Sequence, residues 1–503
     1  MRKRIMFLGL LAALIPMVGN AQAPHGKPQD AGVSVVIPER EIFANGVANA
    51  ANWEPYTTAF GDGTLALATN TEIEGDDSGV TERAVVAFFT SDNNVVETAG
   101  FFTDAGNPWT INNDSARTNG NPPRIAGDKR PGGTKYVLGN EATPWDPESA
   151  SLFPFFNTNP FVYAFQVAVV QLLNKVNNQP VPIGKVLDPI NGKLTTGFQS
   201  DQMRFGGEIR ALSNGNYVAV VDNRDDNFNG LRSVPFAILD GNTGNVVVGP
   251  LDANQAPIDP GANTGIWSNL AAFNGGFAVR CDSNSNSIDF FDNSGNPLGT
   301  WDRTLRRTAY TDPLPPANGM NTSIVDNGGG GGRIDSHIAS NFIYVAGKGV
   351  DANDAPNAGV YLTKINAQTR QTVKEAFVSD GFTAIPDRIN VCSDKDDNVF
   401  VCWSDTSNTG KRQIIGRAFN SNLDPITDAF LTFENSDIGP GEVTGFAIKH
   451  PSCSMVNGRI LVTGRIDNDA GGVPSLSLEQ NAHYAIVLQL PGSTSVENWN
   501  KMH

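Results

Sequence analysis

The chain has 503 residues, 52 glycines, 31 prolines and a formal charge of −16. An acidic surface repels phosphate backbones and anionic headgroups, which argues against nucleic acid or a membrane surface as partner. Length alone suggests two or three domains, but repeat architectures override that prior, so repeats are sought first.

Taken in chain order, Arg2, Lys3 and Arg4 precede an apolar run from Ile5 to Val18 and the small residues Gly19-Asn20-Ala21. This is the pattern of a secretory signal peptide over 1–21, cleaved after Ala21. The run is shorter than the ~20 residues a membrane span needs. No other stretch is long and apolar enough, so the mature chain is expected to have no transmembrane segment. It would be secreted, periplasmic or at the cell surface. Val33 to Ile37 then reads as an orphan strand with no neighbour in sequence.

From there one layout recurs. A tight turn followed by apolar, β-prone residues appears at Ala59 to Ala68, at Leu212 to Val221, at Ala272 to Arg280 and at Ser393 to Trp403. A second hairpin of another type follows each. Examples are Phe236 to Asn245, Phe290 to Asn296, Leu362 to Thr372 and Ala418 to Pro425. Strand, tight turn, strand, long loop, strand, tight turn, strand is the unit of a β-propeller blade. The blades fall at 55–104, 122–186, 206–250, 265–303, 333–379, 386–435 and 443–490. The fold expected is all-β, a propeller of about seven four-stranded blades over 22–490. Six or eight are also compatible with the ambiguous segment 105–205. Ala164 to Val176 is the one helical candidate, and it fits better as a strand entering an Asn177-Asn178 turn. The last blade has three convincing strands, and the orphan N-terminal strand is expected to close the ring. Closure in trans, each subunit lending its strand to the next, would instead build a filament. Residues 491–503 read as a tail.

The run Leu212-Ser213-Asn214-Gly215-Asn216-Tyr217-Val218-Ala219-Val220 and the turn Phe291-Asp292-Asn293-Ser294-Gly295-Asn296-Pro297-Leu298-Gly299 resemble the propeller-type repeats of large secreted and cell-surface bacterial proteins. The resemblance is good over about 206–303 and fair over 386–435. It implies the fold, and function only by analogy.

In such a blade the loops after the first and third strands share one face, and here they are tight. The loops on the other face, around 141–160, 303–332 and 467–483, are long. Long loops on a rigid frame are where binding sits. Trp145 and Phe155 there are candidates to stack on sugar rings or apolar side chains. The innermost strands should bring charges to the channel mouth: Arg124, Glu208, Arg210, Arg333, Asp335, His337, Asp387, Arg388 and Glu442. The arginines among them suit an anionic group.

Arg124-Ile125, Arg333-Ile334 and Arg388 also resemble the arginine cluster of sialidases. The proline after Arg-Ile is missing, however, and no Ser-x-Asp-x-Gly-x-Thr-Trp box occurs. That resemblance implies a glycan-processing alternative, with Asp335, Asp387 and Glu208 as candidate carboxylates. Calcium is the cofactor expectation. Asp282, Asn284 and Asn286, and Asp394, Asp396 and Asn398, alternate oxygens as calcium loops do. The same side chains also cap ordinary turns. The cysteines are Cys281, Cys392, Cys402 and Cys453. Cys402 is placed to meet Cys392 across a hairpin or Cys453 in the next repeat, unless all stay buried thiols. The reading is an exported binding protein for a glycan or an extracellular protein. The alternatives are a filament component that binds itself and a glycan-processing enzyme.

Overall fold

A computed structural model describes residues 25–42, 55–72, 82–99, 124–142, 167–183, 202–204, 208–220, 222–224, 235–252, 269–280, 287–302, 333–351, 354–379, 387–405, 413–433, 447–467 and 483–492. Trp145, Phe155, Asp282, Asn284, Asn286, Cys281, Glu442, the signal segment and most of the three long loops lie outside them.

After β1 (Ser34–Ile42) come β2 (Tyr56–Ala59), β3 (Leu65–Glu72), β4 (Glu82–Phe89) and β5 (Val95–Ala99), which form blade one. Blade two is β6 (Arg124–Gly127), β7 (Lys135–Ala142), β8 (Val167–Val176) and β9 (Gln179–Pro182). A short ribbon, β10 (Gln202–Arg204) paired with β13 (Asp222–Arg224), flanks blade three. That blade is β11 (Ile209–Ala211), β12 (Tyr217–Val220), β14 (Pro235–Leu239) and β15 (Val246–Asp252). Blade four is β16 (Asn269–Phe273), β17 (Gly276–Arg280), β18 (Ser287–Asp292) and β19 (Pro297–Asp302). Blade five is β20 (Ile334–Asp335), β21 (Phe342–Asp351), β22 (Asp354–Asn366) and β23 (Gln371–Phe377). Blade six is β24 (Asp387–Ser393), β25 (Val399–Asp405), β26 (Gln413–Phe419) and β27 (Phe430–Leu431). Blade seven is β28 (Ala447–Val456), β29 (Arg459–Asp467) and β30 (His483–Gln489), with β1 as its outer strand.

The inner strands β2, β6, β11, β16, β20, β24 and β28 each contact the next, and β28 contacts β2, so the ring is closed. The chain is a seven-bladed β-propeller. Closure is in cis: β1 pairs antiparallel with β30 from Ser34 opposite Gln489 to Ile42 opposite His483. The same N-terminal segment also reaches blade six, where Leu431 N–H donates to Gly26 O at 2.9 Å. The segment 164–176 is strand from Val167, and both Asn177 and Asn178 take positive φ (51° and 57°), as a two-residue hairpin turn requires.

Each seam between blades has its own apolar cluster. In β25, Val399, Val401 and Trp403 pack toward blade five, while Phe400 and Cys402 pack toward blade seven. A strand buried on both faces loses the polar alternation of a half-exposed one. That is why Val-Phe-Val-Cys-Trp is continuously apolar.

The tight turns add a polar layer that runs around the whole ring. Lys175 Nζ donates to Thr64 Oγ1 of blade one (2.8 Å), and Lys135 Nζ to Asn242 Oδ1 of blade three (2.7 Å). Asn293 Nδ2 of blade four donates to Ser213 Oγ (3.0 Å), and Asn274 N to Ser340 O of blade five (2.8 Å). Lys364 Nζ donates to Ser421 O of blade six (2.6 Å), and Gly458 N of blade seven to Asp394 Oδ2 (3.2 Å). Arg459 closes the circuit on blade one, donating to Gly63 O (3.1 Å) and Thr90 O (2.9 Å). The turns themselves are held by Asx caps such as Asn216 N to Asn214 Oδ1 (3.0 Å), with Gly215 at φ 91°. The tight-turn face is thus committed to holding the blades together.

One position breaks the packing pattern. Gln171 of β8 is 1% exposed, and neither its amide oxygen nor its nitrogen has a partner among the described residues. It lies opposite Leu138, which packs in the apolar cluster between blades one and two. Burying an unpaired amide is costly, and an apolar side chain of similar shape removes that cost. Gln171→Met is therefore expected to stabilise the fold by about 1–2 kcal/mol, read as a higher urea midpoint. A lower midpoint would mean the amide has a role the apolar cluster does not explain.

Candidate functional site

The inner strands surround an axial cavity. Its lining is Pro55, Tyr56, Thr57 and Thr58 from blade one and Lys129 after β6. Glu208 and Arg210, then Arg333, Ile334 and Asp335, follow from blades three and five. Asn390, Val391 and Cys392 of blade six and Ser452, Cys453 and Ser454 of blade seven complete it. The space is narrow, about 560 Å³ with open solvent included.

The charged residues form two groups. In the first, Glu208 is 3% exposed and anchors two arginines. Its Oε1 meets Arg333 Nη1 at 3.1 Å and its Oε2 meets Arg210 Nη2 at 2.9 Å, while the backbone N–H of Leu270 also donates to Oε2 (3.0 Å). Arg333 Nη1 additionally donates to Asn269 Oδ1 (3.2 Å). In the second group, Asp335 Oδ2 accepts the backbone N–H and the hydroxyl of Ser393 (2.8 and 3.0 Å). Its Oδ1 faces Lys129 Nζ at 4.0 Å.

Glu208 is engaged on both oxygens and Asp335 on one, while among the described residues Lys129 and Arg210 keep donors unused. Lys129 carries three N–H donors, and its one hydrogen bond among the described residues, to Ser336 O, is 3.5 Å long. Arg210 carries five. It uses Nη1 on Ile209 O (3.0 Å) and Nη2 on Glu208, and keeps about a fifth of its side chain exposed. Among the described residues, three cations against two carboxylates leave the lining with an excess of positive charge inside an acidic protein. Small hydroxyls stand opposite: Thr57 Oγ1 and Ser452 Oγ lie 3.0 Å apart at the seam where the ring closes.

Several residues expected in one ring take other places. Arg124 is 2% exposed and stacks on the Tyr56 ring, its guanidinium carbon 3.8 Å from the centroid. Tyr56 lines the cavity and Arg124 does not. His337 follows β20 into a tight turn and does not line the cavity. Burial, with Lys129 and Lys395 nearby, lowers its pKa to about 3, so the imidazole is neutral. Its Nδ1 accepts the Ala339 N–H (3.2 Å), a turn cap rather than a charge in the ring. Arg388 sits in a β-bulge. Between Asp387 and Asn390, β24 carries one residue more than its partner strand, and Arg388 takes φ 52°. The bulge presents Asn390 rather than Arg388 to the cavity. A similar bulge in β28, between Lys449 and Ser452, precedes the Ser452 and Ser454 lining positions.

At 394–398, Asp394 Oδ1 accepts the N–H groups of Asp396 (3.0 Å) and Asn398 (3.1 Å). Its Oδ2 accepts Asn398 Nδ2 and Gly458 N, and Lys395 pairs with Asp396 at 2.7 Å. These oxygens cap a turn and a seam. Among the described residues no three His, Cys, Asp or Glu side chains are grouped to hold a metal ion. No helix among them is long and apolar enough to cross a membrane.

Fold and cavity together place the chain in the broad class of β-propellers. No family model matches the sequence, and no curated protein matches it. Solved structures with a similar course include a protein of unknown function from Dyadobacter fermentans (10% identity, 91% of this chain and 99% of that one, TM-score 0.41). A sialidase from Trypanosoma rangeli (8% identity, TM-score 0.43) is covered over 92% of this chain and 62% of its own. An α-L-arabinofuranosidase from Fusarium graminearum (10% identity, TM-score 0.42) is covered over 92% and 99%.

Proposed function

We propose that this chain is an exported binding protein that takes the acidic end of a glycan into its axial cavity. The observation that carries this is the unequal engagement of the lining charges. Glu208 and Asp335 are held by donors, while Lys129 and Arg210 keep N–H groups to offer. A carboxylate entering the cavity meets charge-assisted donors already oriented by their neighbours. Thr57, Asn390, Ser452 and Ser454 supply the hydroxyl and amide groups that sugar hydroxyls pair with. Trp145 and Phe155, the loop aromatics of the sequence, would add stacking on sugar rings. Calcium in the 282–286 segment would be an accessory to this role.

The test is a binding screen of uronate-bearing and neutral oligosaccharides at low salt, with Lys129→Met beside the parent protein. The expected result is a preference for uronates and about a ten- to hundredfold loss of affinity in the variant. Equal binding by Lys129→Met, or preference for neutral glycans, contradicts the assignment.

A further inference from the structure

The sequence has four cysteines, and three of them meet at one seam. Cys392 of β24, Cys402 of β25 and Cys453 of β28 are 2%, 0% and 7% exposed and pack in the same cluster between blades six and seven. They come from three strands, the last some fifty residues on in sequence, so no local turn forces them together. The Cys453 thiol lies within hydrogen-bonding reach of both others and also donates to Asn390 Oδ1 at 3.6 Å. Cys392 and Cys453 belong to adjacent inner strands and both line the axial cavity, whereas Cys402 does not.

We infer that Cys392 and Cys453 form a disulfide in an oxidising compartment, riveting blade six to blade seven at the wall of the cavity. The oxidant is a small-molecule or protein disulfide. The Cys453 thiolate attacks one sulfur of that disulfide and releases the first thiolate. The Cys392 thiolate then attacks the Cys453 sulfur of the mixed disulfide and releases the second. Two cysteines lose two electrons, the oxidant's sulfur–sulfur bond gains them, and the two thiol protons go to solvent or the released thiolates. Burial raises the pKa of both thiols, so the folded protein exchanges slowly and the bond is set as the blades assemble. Cys402 remains a thiol beside it.

The experiment refolds the full chain with glutathione disulfide at about pH 8.5. Free thiols are then blocked under denaturing conditions, and peptides are mapped without reduction. The expected result is two blocked thiols, Cys281 and Cys402, and one crosslinked pair joining Cys392 to Cys453. Cys402→Ser keeps the crosslink, and Cys453→Ser loses it. Reduction lowers the melting temperature by about 2–4 °C. Four blocked thiols in the parent chain, or a bond through Cys281 or Cys402, overturns the inference. The parent map decides this even where Cys453→Ser fails to fold.

Discussion

A chain lacking residues 25–42 is expected to lose about 5–8 kcal/mol of stability and to leave the monomer state. Those residues supply β1, the outer strand of blade seven, with Val33, Ile37 and Ile42 at 1%, 5% and 3% exposure. Each buried aliphatic side chain contributes roughly 1.5–3 kcal/mol. Removing the strand also uncovers the N–H and C=O groups of β30 from His483 to Gln489, an open edge that pairs with another chain. Against a typical total of about 5–15 kcal/mol the loss is decisive. Size-exclusion chromatography and urea denaturation of the truncated chain measure both effects, and a synthetic 25–42 peptide should restore the monomer by refilling the edge. A truncated chain that stays monomeric with an unchanged midpoint contradicts closure by β1.

The second large effect is at Arg459. This residue is 3% exposed and begins β29, yet its guanidinium serves blade one. Nη1 donates to Gly63 O, and Nη2 to Thr90 O and to Asn93 Oδ1 (3.0 Å). One side chain therefore ties both tight turns of blade one to blade seven at the seam where chain ends meet. Burial lowers its pKa, a cost the three acceptors offset. Truncation leaves those acceptors facing a cavity, and Arg459→Ala is expected to cost about 3–5 kcal/mol. Arg459→Lys, a point donor on a flexible stem, should recover only part of it. Equilibrium unfolding of the two variants decides between a seam clamp and a surface charge; a loss under about 1 kcal/mol for Arg459→Ala speaks against the clamp.

Much of the fold was legible because propeller repeats write themselves in turn chemistry. Asn214-Gly215, Asn274-Gly275 and Asn177-Asn178 mark hairpins by the φ values they permit, and every blade range read from such signals contains its observed strands, apart from the end of β15 in blade three and β1, which joins blade seven from the N-terminus. The orphan strand was legible as well, since Val33 to Ile37 had no neighbour except the unfilled edge of the last blade. The ribbon of β10 and β13 was not, because three-residue strands carry no pattern. Nor was the long hairpin of β21 and β22, where Val350 pairs with Ala358 in place of a loop.

The cavity was only half legible. Arg210, Arg333 and Asp335 line it as their place on inner strands suggests. Lys129 was missed because it follows β6 rather than lying in it. Asn390, Ser452 and Ser454 were missed because bulges in β24 and β28 shift which residues face inward, and one extra residue leaves no mark in composition. His337 has the opposite history. Its chain position suggested the ring, but β20 is two residues long and ends before it, so the side chain caps a turn. For Arg124, aromatic stacking on Tyr56 decides its place, a contact between repeats that no single repeat encodes.

The most direct measurement is a crystal structure of the protein soaked with a hexuronate oligosaccharide. The expected result is a carboxylate in the axial cavity, within hydrogen-bond distance of Lys129 Nζ and the Arg210 guanidinium, with Glu208 still paired to Arg333. A cavity that holds water alone while the sugar sits on the outer blade edges or the tight turns would contradict it.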